Sequence, residues 1–224
     1  MKRTLPIFIA VATALLGAFV VASASGAGIT VFKTSFDSKA DFEAIKTLDG
    51  GKQCKRDWRD ESALGVTVTT GPVECAASTP VSGDGAQPDQ TVRVVAKVNK
   101  DTDDKVKKTA FVGVIVRASR KESYELRVYP KARTFELLKS GEVLDDGREK
   151  SIEGLAEKNR LEISAIGSTI TAKVNGNTMA TFKDKDADQV EGRQTGVSWG
   201  NAGKSKKGVG VALFDKLKVQ VPVP

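Results

Sequence analysis

Histidine is missing from all 224 residues, cysteine and methionine occur twice each, and aromatic residues make up only 6% of the chain. Without imidazole there is no His base to activate a Ser or Cys nucleophile, and no His-ligated metal. Two cysteines and no histidine also fall short of a zinc site. Sparse aromatics argue against a groove that stacks nucleotide bases, so nucleic acid is not an expected partner. Long apolar runs are absent except at the beginning. There, Lys2 and Arg3 precede the apolar stretch Leu5 to Ala22, and Ala22-Ser23-Ala24 has the small-residue pattern of a cleavage site. A signal peptide over residues 1–24 is therefore expected, with Ser25-Gly26-Ala27 as a second possible cut after 27. The alternative is an uncleaved membrane anchor, since the run approaches the length of a spanning helix. The remainder, 30–224, suits one domain with a sizeable core, exported or held in the cell envelope.

In an exported protein an even pair of cysteines reads as a disulfide. Cys54 and Cys75 would close a loop of about 20 residues, contributing about 3 kcal/mol through the unfolded state and pinning the irregular region around Trp58 to the strand near Val66 and Val68. The formal net charge is +7, but the signs are mixed. Lys105, Lys107 and Lys108 share a loop with Asp101, Asp103 and Asp104, while Lys204, Lys206 and Lys207 form a second cluster. Such loops are usually solvated, and an acidic polysaccharide or cell-wall polymer is the partner they would attract.

What the chain has in abundance is alternation. Leu161, Ile163 and Ala165 alternate with Glu162 and Ser164, then Ile170, Ala172 and Val174 with Thr171 and Lys173. A two-residue turn at Gly167-Ser168 would pair Ala165 with Ile170, Ile163 with Ala172 and Leu161 with Val174 on one face. Asn175-Gly176 supplies a second hairpin signal of type I′, which would put Met179 opposite Ala172. That register leaves Phe182 outside unless a bulge intervenes. Further strands are expected at Thr30–Phe36, Leu64–Thr70, Thr91–Val98, Phe111–Arg117, Tyr124–Tyr129, Thr134–Lys139, Thr195–Trp199, Gly208–Phe214 and Leu217–Val221, with one short helix from Lys39 to Ile45 capped at Asp37-Ser38. The Gly-, Pro- and Asp-rich segment 79–89 reads as a surface loop. Many short strands without intervening helices imply an all-β, antiparallel two-sheet sandwich.

The order Gly113…Arg117, Tyr124-Glu125-Leu126-Arg127-Val128, Asn159-Arg160-Leu161-Glu162-Ile163, Gly167, Val174-Asn175-Gly176, Asp184, Gly192…Gly196-Val197 and Phe214-Asp215…Leu217…Val219 resembles the laminin-G-like branch of the concanavalin A-like lectin and glucanase superfamily. It is also similar to the bacterial 3-keto-disaccharide hydrolase domain. The resemblance spans Phe111 to Val221 and implies a jelly roll of a kind often used to bind glycans. Phe111-Val112 stands where the hydrolase domain has Asn-Ser, and Tyr129-Pro130 where it tends to have Asp, so no hydrolase activity follows. The resemblance also raises calcium: Asp184, Asp186, Asp188 and Glu191 are oxygen ligands in one segment, but they lack the Gly of a helix-loop-helix calcium loop and read as a charged surface loop. No cofactor is otherwise expected.

Parity locates a candidate binding face. With Val112, Val114 and Val116 inward, Arg117 points outward, and with Tyr124, Leu126 and Val128 inward, so do Glu125, Arg127 and Tyr129. These four would form a polar strip with one aromatic, suited to a sugar, with Trp58 and Trp199 as alternative stacking residues. Glycoside hydrolysis needs only two facing carboxylates, but the glucanase Glu-x-Asp-x-x-Glu pattern is absent and no catalytic residue is assigned. The reading favoured is a monomeric, non-catalytic carbohydrate-binding or adhesion module. The alternatives are a glycan-active hydrolase or lyase, and an envelope protein without a small ligand.

Overall fold

The computed structural model describes residues 28–49, 51–59, 62–69, 71–81, 87–119, 122–186, 192–203 and 208–223. The predicted signal peptide with its cleavage points, the tip of the 79–89 loop, Asp188, Glu191 and the lysines at 204, 206 and 207 lie outside these residues. In chain order the elements are β1 (Ile29–Thr34), α1 (Lys39–Ala44), β2 (Lys46–Asp49), a 3-10 turn (Gly51–Gln53), β3 (Cys54–Arg59), β4 (Ser62–Thr69), β5 (Val73–Ser78), β6 (Gln90–Val98), β7 (Ala110–Ala118), β8 (Tyr124–Tyr129), β9 (Thr134–Lys139), β10 (Glu142–Arg148), β11 (Asn159–Ile166), β12 (Thr169–Val174), β13 (Asn177–Lys183), β14 (Gln194–Asn201) and β15 (Gly208–Val221). Among the described residues no helix is long and apolar enough to cross a membrane.

The strands form two antiparallel sheets packed face to face. An eight-stranded sheet runs β13-β12-β11-β6-β15-β4-β3, with β1 on the far half of β15, and a seven-stranded sheet runs β10-β9-β8-β7-β14-β5-β2. Alternation puts Val92, Val94, Ala96, Leu161, Ile163, Ile170 and Ala172 of the first sheet against Val112, Val114, Val116, Tyr124, Leu126, Val128, Leu137 and Trp199 of the second. All are essentially removed from water. This is a jelly-roll sandwich, and burial of the two inner faces is its main source of stability.

The β11–β12 hairpin has the predicted register, Ala165 with Ile170, Ile163 with Ala172 and Leu161 with Val174, around a turn in which Gly167 has φ of 52°. Asn175 and Gly176 have φ of 52° and 88°, as a type I′ turn requires. Past that turn the pairing shifts between Ala172 and Lys173, so Ala180, not Met179, faces Ala172, and Phe182 faces Ile170. The bulge carries Phe182 against the core. A second bulge joins what the sequence divides in two: Gly208–Val221 is one strand, with the register to β6 slipping between Asp215 and Lys218 and Lys216 at φ 49°. The short helix α1 is capped by Ser38, whose side chain accepts the Asp41 amide at 3.2 Å.

Cys54 and Cys75 are bonded, with Cα atoms 5.7 Å apart. The bridge does not pin an irregular segment to the strand near Val66 and Val68. The region of Trp58 is itself strand β3, hydrogen-bonded to β4, and the disulfide crosses from β3 to β5 in the opposite sheet. Such a bond is the chemistry of an oxidising compartment.

Candidate functional site

On the outer face of a half-buried sheet, alternation normally leaves polar side chains in water. The seven-stranded sheet departs from that rule, since all six residues of β8 and all nine of β7 are buried. On β8 the outward residues are Glu125, Arg127 and Tyr129, at 4%, 9% and 6% exposure. Glu125 pairs with Ile115, but beside Arg127 the floor is small: Arg127 pairs with Gly113, Gly113 with Ser198, and the next residue of β14 on this face, opposite Phe111, is Gly200. This floor of small residues lets the long side chains of β8 lie flat across two strands. A Cβ on Gly113 would stand 2.3 Å from Ser198 Oγ, 2.8 Å from the Leu126 carbonyl oxygen and 3.2 Å from Glu125 Oε1.

Across that floor the polar groups are locked together. Arg127 donates from Nε to Glu125 Oε1 at 2.8 Å and from Nη2 to Glu125 Oε2 at 2.7 Å, a bidentate pair. Ser198 Oγ donates to Glu125 Oε1 at 2.6 Å. Nη2 of Arg127 also pairs with Glu74 Oε2, which β5 presents opposite Gly200. The guanidinium lies 4.7 Å from the centroid of the Phe111 ring, which is itself 5.7 Å from that of Tyr129. Tyr129 donates its hydroxyl to Glu136 Oε2 at 2.6 Å, across the β8–β9 pair. At the foot of this network, on the same face, sit Ile115 and Ala76.

Charge and burial set the protonation states. Burial first, and then the Glu125 carboxylate beside it, hold Glu74 above the usual carboxylate range, while Arg127 pulls it the other way. For Arg127, burial disfavours the charge, but the hydrogen bonds and charge of Glu125, with the charge of Glu74, outweigh it and raise the pKa. Burial and the bond to Glu136 push the Tyr129 phenol up, so it stays a neutral donor at physiological pH. The arrangement presents hydrogen-bonding groups held in fixed positions. Both oxygens of Glu125 are already engaged, whereas Glu74 has a side chain 49% exposed and Glu136 is half-buried at the rim.

Of the four residues predicted from parity the structure brings together three, Glu125, Arg127 and Tyr129, and removes Arg117; it also removes Trp199, one of the alternative stacking residues. Arg117 does not join the strip. The register of β14 against β7 shifts between Gln194 and Gly196, Arg117 takes φ of 50°, and its guanidinium donates to Pro88 O at 2.8 Å, Asp89 Oδ1 at 2.9 Å and Gly167 O at 2.8 Å. It ties the seven-stranded sheet to the β11–β12 turn. Trp199 is no stacking platform either: it faces inward, 2% exposed, against Gly65 and Phe214, and its indole N–H has no hydrogen-bond partner among the described residues. Tyr129 is also buried, so the expected exposed aromatic gives way to a sealed Tyr–Phe–Arg stack. Trp58 is half-buried and donates to the Phe36 carbonyl at 2.8 Å.

Of the four oxygen ligands considered for calcium, Asp184 is turned inward. It accepts the Tyr124 hydroxyl and Lys139 Nζ, the latter at 2.6 Å, and its other oxygen takes the Asp186 amide at 2.9 Å. Among the described residues no group of three or more acidic, Cys or His side chains is placed to hold a metal ion. Glu162 belongs to the opposite sheet, where Arg93 pairs with it at 2.5 Å.

Sequence reasoning missed Glu74, Phe111, Gly113, Ser198 and Glu136 as parts of the site. The only available signal was parity: Glu136 alternates with Phe135 and Leu137, and Ser198 with Val197 and Trp199. Glu74 carried none, because VECAAS does not alternate.

No family model and no curated protein matches the chain. Solved structures do. A protein of unknown function with a galectin-like fold from Bacillus subtilis has a TM-score of 0.62 at 14% identity, covering 88% of this chain and 98% of its own. The carbohydrate binding module CBM66 from the same organism has a TM-score of 0.58 at 14% identity over 79% and 95%. A laminarinase from Flavobacterium sp. UMI-01 has a TM-score of 0.59 at 12% identity over 86% and 100%. The fold is the concanavalin A-like jelly roll. At these identities the likeness carries the architecture alone, so the chemistry of this concanavalin A-like sandwich has to be read from its own side chains.

Proposed function

We propose that this protein is a secreted or cell-surface carbohydrate-binding module that holds a glycan on the outer face of its seven-stranded sheet without turning it over. The observation that carries this reading is the Glu125–Arg127 pair, buried on a face that the core does not need, braced by Ser198 and flanked by the rim carboxylates Glu74 and Glu136. Buried charge away from the core is costly, and such departures from alternation concentrate at functional sites. Rigid polar groups beside small apolar side chains fit a sugar, which presents hydroxyls on its edges and C–H groups on its faces. The similarity of fold to a carbohydrate binding module is consistent with this.

A glycan-active hydrolase is the second reading, favoured by one observation: two carboxyls, Glu74 and Glu125, share Arg127, and burial raises the proton affinity of Glu74. Against it, Glu125 is buried and tied to Arg127 and Ser198 through both oxygens, which favours a fixed structural carboxylate over a nucleophile or base. Affinity electrophoresis through polysaccharide gels tests the proposal. Retardation by at least one polysaccharide, abolished in the double variant Glu74→Gln and Glu136→Gln, is expected, with no reducing ends released. Retardation unchanged in that variant would refute the face as the site, and steady release of reducing ends would replace binding with hydrolysis.

A further inference from the structure

The rim of this site has a sign opposite to that of the chain. Glu74, Glu125 and Glu136 surround a single cation, Arg127, and Asp146 on β10 stands in register with Glu136, exposed to solvent. The whole chain nevertheless carries a formal +7. Arg127 gives Nε and Nη2 to carboxylates and stacks its plane on Phe111, so its charge is spent within the protein. The other cations on this face among the described residues, Lys46 and Arg148, belong to the outermost strands β2 and β10.

Resting on the binding reading above, we infer that the site takes uncharged glycans and rejects those bearing uronate or sulfate groups. The groups left for a ligand are the carboxyl oxygens of Glu74 and Glu136, which in the ionised form accept hydrogen bonds and cannot donate them. A sugar hydroxyl donates, and a charge-assisted bond to carboxylate is the stronger kind. A uronate brings a second acceptor and a like charge to the same place, with no unspent cation within the network to meet it. The basic loops elsewhere attract polyanions through long-range charge, but screening at physiological salt, with a Debye length of about 8 Å, separates that attraction from recognition at the face.

The experiment is a competition at physiological ionic strength with the full chain. A fluorescent neutral polysaccharide chosen from a β-glucan, a fructan and a mannan serves as tracer, displaced by unlabelled neutral polymer, by alginate or by dextran sulfate. Unlabelled neutral polymer should compete at least tenfold better than alginate or dextran sulfate. Glu136→Lys, at a half-buried position, should reverse that order and leave the melting temperature within a few degrees. Displacement by alginate as effective as by neutral polymer, or binding of polyanions alone that Glu74→Gln with Glu136→Gln abolishes, would overturn the inference while leaving the binding reading intact. Absence of binding to every polymer would instead remove the binding reading, and this inference with it.

Discussion

Single side chains in this protein do more to shape the candidate site than any secondary-structure element. Arg127 is the clearest case: it is buried, bonded twice to Glu125 and once to Glu74, and its removal would strand a buried carboxylate. Breaking one side of a buried pair costs about 3–5 kcal/mol, so Arg127→Ala should lower the urea midpoint by that equivalent with an unchanged m-value. Asp184 acts at the other end of the sandwich. Burial alone would raise its pKa, but the bonds from Lys139 and Tyr124 outweigh that and hold it below the ordinary 3.8. A depressed carboxylate contributes stability that is complete above its unfolded pKa and is lost as pH falls through the folded value. Melting temperatures measured from neutral pH down to below 3.8 should therefore fall less steeply for Lys139→Met than for the natural chain. An equal acid slope in both would show that Lys139 does not set the Asp184 proton affinity.

At the scale of elements, turns and bulges decide what strand periodicity leaves open. Gly176 has φ of 88° with nothing within 4 Å of a Cβ placed there, so a side chain meets strain without a clash. Gly176→Ala should cost about 1–2 kcal/mol, read as a lowered denaturation midpoint with the same folded circular-dichroism spectrum. Gly65 is the converse: its φ is not in the left-handed region, but a Cβ would lie 2.7 Å from the Trp199 ring, and the cost there comes from displacing a core indole. Elements that bury one clean face were legible in advance, as with β6, β11 and β12. β10 was not, because EVLDDGR is an edge strand of mostly exposed residues, and an edge needs no apolar alternation. Arg117 shows how a local irregularity defeats parity. One slipped register and one positive φ send its guanidinium to the end of the sandwich rather than into the strip.

For the molecule as a whole, the disulfide is the one covalent cross-link between the sheets beyond the backbone itself. Its loop is of the length for which cross-linking contributes about 3 kcal/mol. Reduction, or Cys54→Ala with Cys75→Ala, should therefore lower stability by about that amount in chemical denaturation. The glycan binding proposed for the outer face should survive while the chain remains folded, since neither cysteine lines that face. The remaining cohesion lies in the two apolar inner faces, which meet across the sandwich and involve nearly every long strand.

By itself, the amino-acid sequence determined the two-faced strands, the register of the β11–β12 hairpin, the bonded cysteines and the exclusion of imidazole chemistry. Each is a local property: periodicity, turn residues, or the presence and absence of a residue type. Only the tertiary structure decided that Glu74 of β5 meets Arg127 of β8 across the small residues of β7 and β14, and that Trp199 turns inward while Ser198 supports Glu125. These strands lie far apart in the chain, and their adjacency follows from how two whole sheets bury their faces together. No local pattern encodes which distant strand a side chain will reach.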